Sequence, residues 1–112
     1  MNTILIATDL SPKDENILSR GIEFASAIGA TLHVLHVHYT LRLPGVVGHF
    51  KEERSDIREK INELINQHPA ASNIEYKIHV ADGGRIYGQI DRYARSVAAD
   101  LVIMGASEKN ED

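Results

Sequence analysis

The chain has 112 residues, of which 12 are Lys or Arg and 16 are Asp or Glu, so its formal net charge is −4. With 43% hydrophobic and 5% aromatic residues, it has the composition of a single globular domain, spanning residues 1–112, and not of a disordered chain or a coiled coil. The mild acidity argues against nucleic-acid binding, and no apolar run approaches a membrane span. We expect no signal sequence, and because cysteine is absent we expect a cytoplasmic protein without disulfides or thiolate chemistry.

The first half of the chain alternates strand and helix patterns. Residues 2–8 form a short apolar run typical of a strand that is covered on both faces. Ser11, Pro12 and Asp14 are residue types of a helix start, and apolar residues then recur at helical spacing until Gly29, which should end the helix. Residues 31–38 predict a second buried strand, which places Leu32 and Val34 on one face and Leu35 and Val37 on the other.

The second half repeats the alternation after a predicted loop at 39–50, whose Val46, Val47 and Phe50 could cover a cleft, contact a partner or simply pack. We expect an amphipathic helix at 51–68 that Pro69 stops, with an apolar line of Ile57, Ile61, Leu64 and Ile65. A strand at 74–80, a turn at 81–84, a helix lined by Ile86, Ile90, Tyr93, Ala94 and Val97, and a buried strand at 100–104 follow.

This β-α-β-α-β-α-β order predicts the α/β class: an open, doubly wound parallel sheet with helices on both faces. Ligands of such sheets bind outside the carboxyl ends of the strands, at the point where the strand order reverses. The segments 9–12 and 105–107, which follow the first and fourth strands, are therefore the candidate binding segments.

Three segments carry a family resemblance. They are Ile-Leu-Ile-Ala-Thr-Asp-Leu-Ser-Pro at 4–12, Leu-His-Val-Leu-His-Val at 32–37 and Ala-Asp-Leu-Val-Ile-Met-Gly-Ala-Ser at 99–107. In this order they resemble the universal stress protein family. The resemblance implies a five-strand parallel sheet of the Rossmann-like nucleotide-binding type, with the first and fourth strands adjacent. Four of the five strands are recognisable in this sequence.

The resemblance also implies candidate binding residues, because one branch of the family binds ATP. The adenine and ribose side of that branch falls on Ala7, Thr8, Asp9, Val37, Met104 and Gly105. The branch further needs a glycine-rich phosphate-binding segment that could begin at Gly105, but Glu108 stands where its second glycine belongs. Glu108, Glu111 and Asp112 would also repel phosphate oxygens. We therefore expect that the phosphate-binding segment and the last strand are lacking and that no cofactor is bound, with ATP or AMP as the alternative.

The resemblance, together with the expected loss of the phosphate-binding segment, implies a non-catalytic stress-response protein that acts through a homodimer or other self-association and through contacts with an unidentified protein partner. The fourth strand would form a sheet edge, and an exposed apolar edge favours pairing. Neither nucleic acid nor membrane is an expected partner. Ser11 and Ser107 have no readable catalytic base, so weak ATPase activity is the most that we expect. The alternative is an adenine-nucleotide-binding switch whose phosphate side comes from residues beyond Asp112 or from a partner chain.

Several residues allow more than one interpretation. Asp9 could contact a ligand, favour the helix dipole or accept a phosphoryl group, although the acidic neighbours of response-regulator receivers are missing. His36 and His38 share a strand face at metal-ligand spacing, with His33 opposite, and Asp9 or His49 would have to complete a site. We predict instead that these histidines bond to the backbone and that no metal binds. The glycines of Asp82-Gly83-Gly84 could cradle a phosphate or allow a tight turn with positive φ.

Overall fold

The computed structural model describes residues 2–10, 14–38, 50–82 and 85–105. Its four strands are β1 (Thr3–Ala7), β2 (Thr31–His38), β3 (Tyr76–Asp82) and β4 (Leu101–Met104). The helices between them are α1 (Asp14–Ile28), α2 (Phe50–Asn66) and α3 (Ile86–Ser96), with a short 3-10 helix at Pro69–Asn73. The strand and helix order is therefore the predicted one. None of the helices within these ranges is both long and apolar enough to cross a membrane.

The strands form one parallel sheet in the order β3-β2-β1-β4. From β1 the chain proceeds to β2 and β3 on one side, then crosses back to place β4 on the other side of β1. The strand order therefore reverses between β1 and β4, which confirms the predicted doubly wound sheet with adjacent first and fourth strands. Asp100 strengthens this arrangement at the amino end of the sheet, because its Oδ2 accepts hydrogen bonds from the amides of Asn2 (2.8 Å) and Thr3 (3.0 Å).

Helices cover both faces of the sheet. The larger core lies under α1 and α2 and contains the even-numbered side chains of the central strands; its fully enclosed members include Ile4, Ile6, Ile22, Leu32, Val34, Ile61 and Ile65. The smaller core lies under α3 and is built from Leu5, Leu35 and Ile90, with Val37 packed beside them. The predicted division of β2 into a Leu32 and Val34 face and a Leu35 and Val37 face is confirmed.

Helix α1 approaches β1 closely because Gly21 has no side chain. A Cβ atom at this position would overlap the Cδ1 atom of Ile6, which is fully buried. The helix ends at Gly29 as predicted, with a φ of 71° that favours glycine, and the amide of Ala30 donates to the carbonyl of Ala25 (3.0 Å). Glycine thus serves both the packing and the termination of α1.

Helix α3 ends in the same geometry without a glycine. Ala98 has a φ of 53°, its amide donates to Arg95 (3.2 Å), and the amide of Ala99 donates to Ala94 (2.9 Å). This pair of hydrogen bonds forms a Schellman motif around an alanine in the left-handed region. Val97, which we predicted on the apolar line of the helix, lies just beyond its last residue.

Several predicted boundaries were wrong. Helix α2 ends at Asn66, before Pro69, because residues 69–73 turn as a 3-10 helix, and Ala81 and Asp82 extend β3 rather than forming a turn. Ile86, which we placed on the apolar line of α3, is exposed by 51%, and Ile28, the last apolar residue of the helical spacing that runs to Gly29, is exposed by 40%. Phe50, the last residue of the loop predicted at 39–50, begins α2 instead. The predictions about Ser11 and Pro12, the rest of that loop, Gly83 and Gly84, and residues 106–112 fall outside the described residues.

Candidate functional site

The six candidate binding residues lie at the carboxyl ends of three neighbouring strands. Ala7 ends β1 and stands opposite Leu35 of β2 and Met104 of β4. Val37 lies one residue before the end of β2, Thr8 and Asp9 continue directly from β1, and Gly105 follows β4. Topology therefore brings all six to the point where the strand order reverses. Their roles in ligand contact remain predictions.

A strained turn follows β1 at this site. The amide of Thr8 extends the ladder to β2 by donating to the Leu35 carbonyl (2.9 Å), and the Thr8 Oγ1 atom accepts from the amide of Leu10 (3.0 Å). Leu10 has a φ of 64°, in the left-handed region, which costs a residue with a Cβ atom roughly 1–2 kcal/mol. The turn leaves Asp9 exposed while Thr8 is buried. Backbone strain of this kind often accompanies functional sites.

His36 supports the same turn from inside the protein. Its buried side chain donates from Nδ1 to the carbonyl of Thr8 (3.0 Å). The prediction of a backbone-bonded histidine is thus confirmed for His36. The side chains of His38 and His49 lie outside the description, and within the described part of the chain no three His, Asp or Glu side chains form a group that could hold a metal ion.

His33 belongs instead to a cluster under α3 that sequence reasoning missed. Its Nδ1 atom lies 2.9 Å from the hydroxyl of Tyr93, and the ring of His79 stacks on Tyr93 with centroids 4.8 Å apart and an angle of 13° between the planes. The strand register puts His33 opposite Lys77 and His79 opposite Leu35, so the three rings meet only because β2 and β3 pair in this way. The alternation of side chains along β2 and β3 shows from the sequence which sheet face each histidine occupies. It does not show that Tyr93 of α3 contacts both of them.

Electrostatics keep both histidines of this cluster neutral near pH 7. Desolvation and then the charge of Lys77 lower the pKa of His33 below its ordinary value of 6.5. Desolvation and then the guanidinium groups of Arg58 and Arg54 lower the pKa of His79. Desolvation raises the pKa of Tyr93. The cluster therefore contributes hydrogen bonding and ring stacking, not charge, to the docking of α3.

A pocket of about 210 Å³ lies elsewhere, between α1 and the end of α2. It is lined by Leu18, Ser19, Ile22, Leu64, Gln67, His68 and Pro69. At its rim the Nδ1 atom of His68 accepts from the amide of Ala70 (3.0 Å), and its Nε2 atom lies 3.2 Å from a carboxylate oxygen of Glu23. These contacts join α1 to the 3-10 helix, so the pocket is a packing groove away from the strand ends.

A comparison with models of known protein families identifies the family of this chain. The model of the universal stress protein family matches residues 1–111. The chain belongs to the universal stress protein family. Its α/β nucleotide-binding fold is the fold of that family, so the resemblance found in the three sequence segments is confirmed. A search of curated protein sequences found no match.

Solved structures of universal stress proteins share this fold at low sequence identity. UspA from Lactobacillus plantarum superimposes with a TM-score of 0.79 at 20% identity, covering 97% of this chain and 79% of that chain. The protein from Archaeoglobus fulgidus in complex with dAMP has a TM-score of 0.69 at 20% identity and covers 94% and 81%. A family member from Arabidopsis thaliana with AMP bound has a TM-score of 0.57 at 13% identity and covers 95% and 77%.

Proposed function

We propose that this universal stress protein is a non-catalytic regulatory protein of the cytoplasm that acts through self-association, two copies pairing along β4, and through contacts with other proteins. The observation that carries the proposal is the edge at β4. In the sheet formed by the described residues, β4 has a neighbour on one side only, and no side chain within the described ranges donates to its outer backbone. Such an edge offers unpaired backbone groups to another chain.

Exposed apolar side chains flank this edge on both faces of the sheet. We call them the β4 margin: Phe24 (41% exposed), Ile28 (40%), Val102 (38%) and Met104 (47%). Val102 and Met104 stand in register with Leu5 and Ala7 of the smaller core, yet α3 leaves them exposed. They therefore form the apolar surface of β4 on the α3 side.

Phe24 and Ile28 belong to α1, which contacts β4 on the other face. With about 100° of rotation per residue, Phe24 and Ile28 occupy a flank of α1 that is rotated by about 140° from Ser19 and Glu23, respectively. Ser19 and Glu23 face the end of α2 and the 3-10 helix, so the flank of Phe24 and Ile28 points to the β4 side. Pairing two β4 strands would bury apolar side chains on both faces at once, and their removal from water would stabilise the pair by roughly 25 cal/mol per Å².

The test is the mass of the full chain in solution over a concentration series, for the wild type and for Val102→Arg. We expect a wild-type dimer, and we expect Val102→Arg to be monomeric because a charge at the pairing edge would have to be buried. Ile86→Arg is the matched control, since Ile86 is also an exposed apolar residue but lies on α3 outside the β4 margin. A wild-type chain that stays monomeric at high concentration would contradict the proposal.

Adenine-nucleotide binding is the second candidate function, and the turn after β1 favours it. That turn presents the exposed carboxylate of Asp9 at the reversal of strand order, where ligands of doubly wound sheets bind. The relatives from Archaeoglobus fulgidus and Arabidopsis thaliana were solved with dAMP and AMP, respectively. AMP has one phosphate group where ATP has three, so it needs fewer contacts from a phosphate-binding segment. AMP is therefore the better first probe.

Calorimetry with AMP and with ATP tests this candidate directly. If AMP binds through this site, Asp9→Ala should weaken binding by about 1–3 kcal/mol, the scale of a lost hydrogen bond to a charged group. Glu63→Ala is the control, because Glu63 is an exposed carboxylate on α2, away from the strand ends. If neither AMP nor ATP binds to the wild-type chain, the candidate function is excluded. If Asp9→Ala and Glu63→Ala bind AMP with equal affinity, Asp9 is excluded as the contact.

A further inference from the structure

The opposite edge of the sheet, at β3, differs from the β4 edge because a side chain donates a hydrogen bond to one of its backbone carbonyls. The Nη1 atom of Arg58, on α2, donates to the carbonyl of Ile78 in the middle of β3 at 2.7 Å. Helix α2 packs against β3, and β2 is the only strand paired with it among the described residues. A carbonyl bonded to a guanidinium is a poorer acceptor for the amide of an added strand, which would have to share the oxygen with the guanidinium or displace it.

Positive charge surrounds this occupied carbonyl. We call these residues the β3 margin: Arg54 and Arg58, one turn apart on α2, together with Lys77 of β3. The charges of Arg58 and Arg54 reach His79, and the charge of Lys77 reaches His33 across the strand pair. The two margins of the sheet are therefore chemically opposite, one apolar and one basic.

Two edges allow three ways to join copies of this chain. Pairing β4 with β4 about a twofold axis is isologous and stops at a dimer. Pairing β4 of one copy with β3 of the next is heterologous and leaves a new free edge after every addition, so that it grows without limit. Pairing β3 with β3 would bring two basic margins together, which Coulomb repulsion disfavours.

We infer that Arg58 closes the β3 edge to strand addition and thereby limits assembly of this chain to the closed dimer. An incoming β4 strand would have to compete with Arg58 for the Ile78 carbonyl and place its apolar side chains against the cations of the β3 margin. Removing Arg58 removes the first obstacle, the hydrogen bond to Ile78, and weakens the second by taking one cation out of the β3 margin. The inference rests on the proposed pairing along β4. It concerns a different event, however, because Arg58 at the other edge of the sheet prevents further addition of chains rather than forming the dimer.

Arg58→Ala tests this role in the full chain, with Lys60→Ala as a matched control. Lys60 is an exposed cation on the same helix and is not part of the β3 margin. Sedimentation over a concentration series should show wild type and Lys60→Ala levelling off at the mass of a dimer. The mass of Arg58→Ala should continue to rise with concentration, and backbone amides of β3 should become protected from hydrogen exchange only in that variant.

Each result then decides one statement. An Arg58→Ala protein that levels off at the dimer, without new protection in β3, overturns the inference. A monomeric wild type overturns the proposed β4 pairing instead; the role of Arg58 is then supported if Arg58→Ala alone gains mass and β3 protection, and refuted if it does not. Circular dichroism checks folding, and if Arg58→Ala is unfolded the same measurements on Arg58→Gln, which also removes the charge, decide the question.

Discussion

At the scale of single residues, the turn after β1 combines a positive φ at Leu10 with two hydrogen bonds that support it. Leu10 adopts a left-handed conformation that the Thr8 hydroxyl and the buried His36 hold in place from two sides. The sequence predicted that ligands would approach here, because the topology of alternating strands and helices implies it. It could not predict the turn itself, since nothing about a leucine signals a positive φ.

The Thr8 hydroxyl should contribute measurably to stability. Thr8→Val keeps the shape of the side chain but leaves the amide of Leu10 without its acceptor, so we expect the free energy of unfolding to fall by about 1 kcal/mol. Urea denaturation measures the change. Thr31→Val, in the first residue of β2, is the control, and equal losses in the two variants would show that the Thr8 hydroxyl has no special role.

Asp100 should make stability depend on pH in the acidic range. The hydrogen bonds from the amides of Asn2 and Thr3 lower its pKa below the ordinary value of 3.8. Because the folded-state pKa is the lower one, the carboxylate stabilises the fold above pH 3.8, and this contribution is lost as the pH falls through the folded-state pKa. Urea midpoints of wild type and Asp100→Asn should differ at pH 7 and converge at strongly acidic pH; a constant difference would contradict this.

At the scale of helices and strands, hydrophobic periodicity was sufficient to place all seven main elements. Apolar runs located the strands, and helical spacing located α1, α2 and α3. Boundaries were predictable only where a residue type marks them. Gly29 marks the end of α1, whereas Ala98 ends α3 in the same conformation and carries no such mark. The 3-10 helix at Pro69–Asn73 also has no periodicity of its own and was not predicted.

The two helix ends predict opposite effects of exchanging glycine and alanine. Ala98→Gly should raise the free energy of unfolding by about 0.5–1 kcal/mol, because relief of the left-handed strain exceeds the added freedom of the unfolded chain. Gly29→Ala should lower it by about 1 kcal/mol through φ alone, since no atom lies within 4 Å of the added Cβ. Thermal unfolding of both variants measures this, and shifts of the same sign would refute the argument.

At the scale of the whole molecule, the two faces of the sheet are unequally stabilised. The face under α1 and α2 has an extended apolar core. The face under α3 has three buried apolar side chains among the residues that the structure describes, and it depends in addition on Tyr93 and its two histidines. The sequence indicated which strand faces are apolar but not this imbalance, because the ring cluster forms across three elements. The docking of α3 is therefore the part of the fold that should respond most to pH.

Acidification should weaken the fold through His79 and His33. Both have folded-state pKa values below 6.5, so the unfolded chain takes up protons first and stability falls as the pH drops from about 6.5 towards the folded-state values. His79→Phe keeps a ring to stack on Tyr93 but cannot titrate, so its melting temperature should fall less than that of wild type between pH 7 and pH 5. Identical pH profiles would exclude His79 as a source of the effect.

The position of β1 in the sheet also determines when the fold can be completed during synthesis. β1 is made first but lies in the interior of the sheet, and one of its two neighbours, β4, is made nearly a hundred residues later. At a translation rate of about 5–20 residues per second, one side of β1 stays open for several seconds while β2 and β3 can already pair. The backbone groups of β1 that pair with β4 in the finished sheet therefore stay unpaired during synthesis, until β4 is made and joins them.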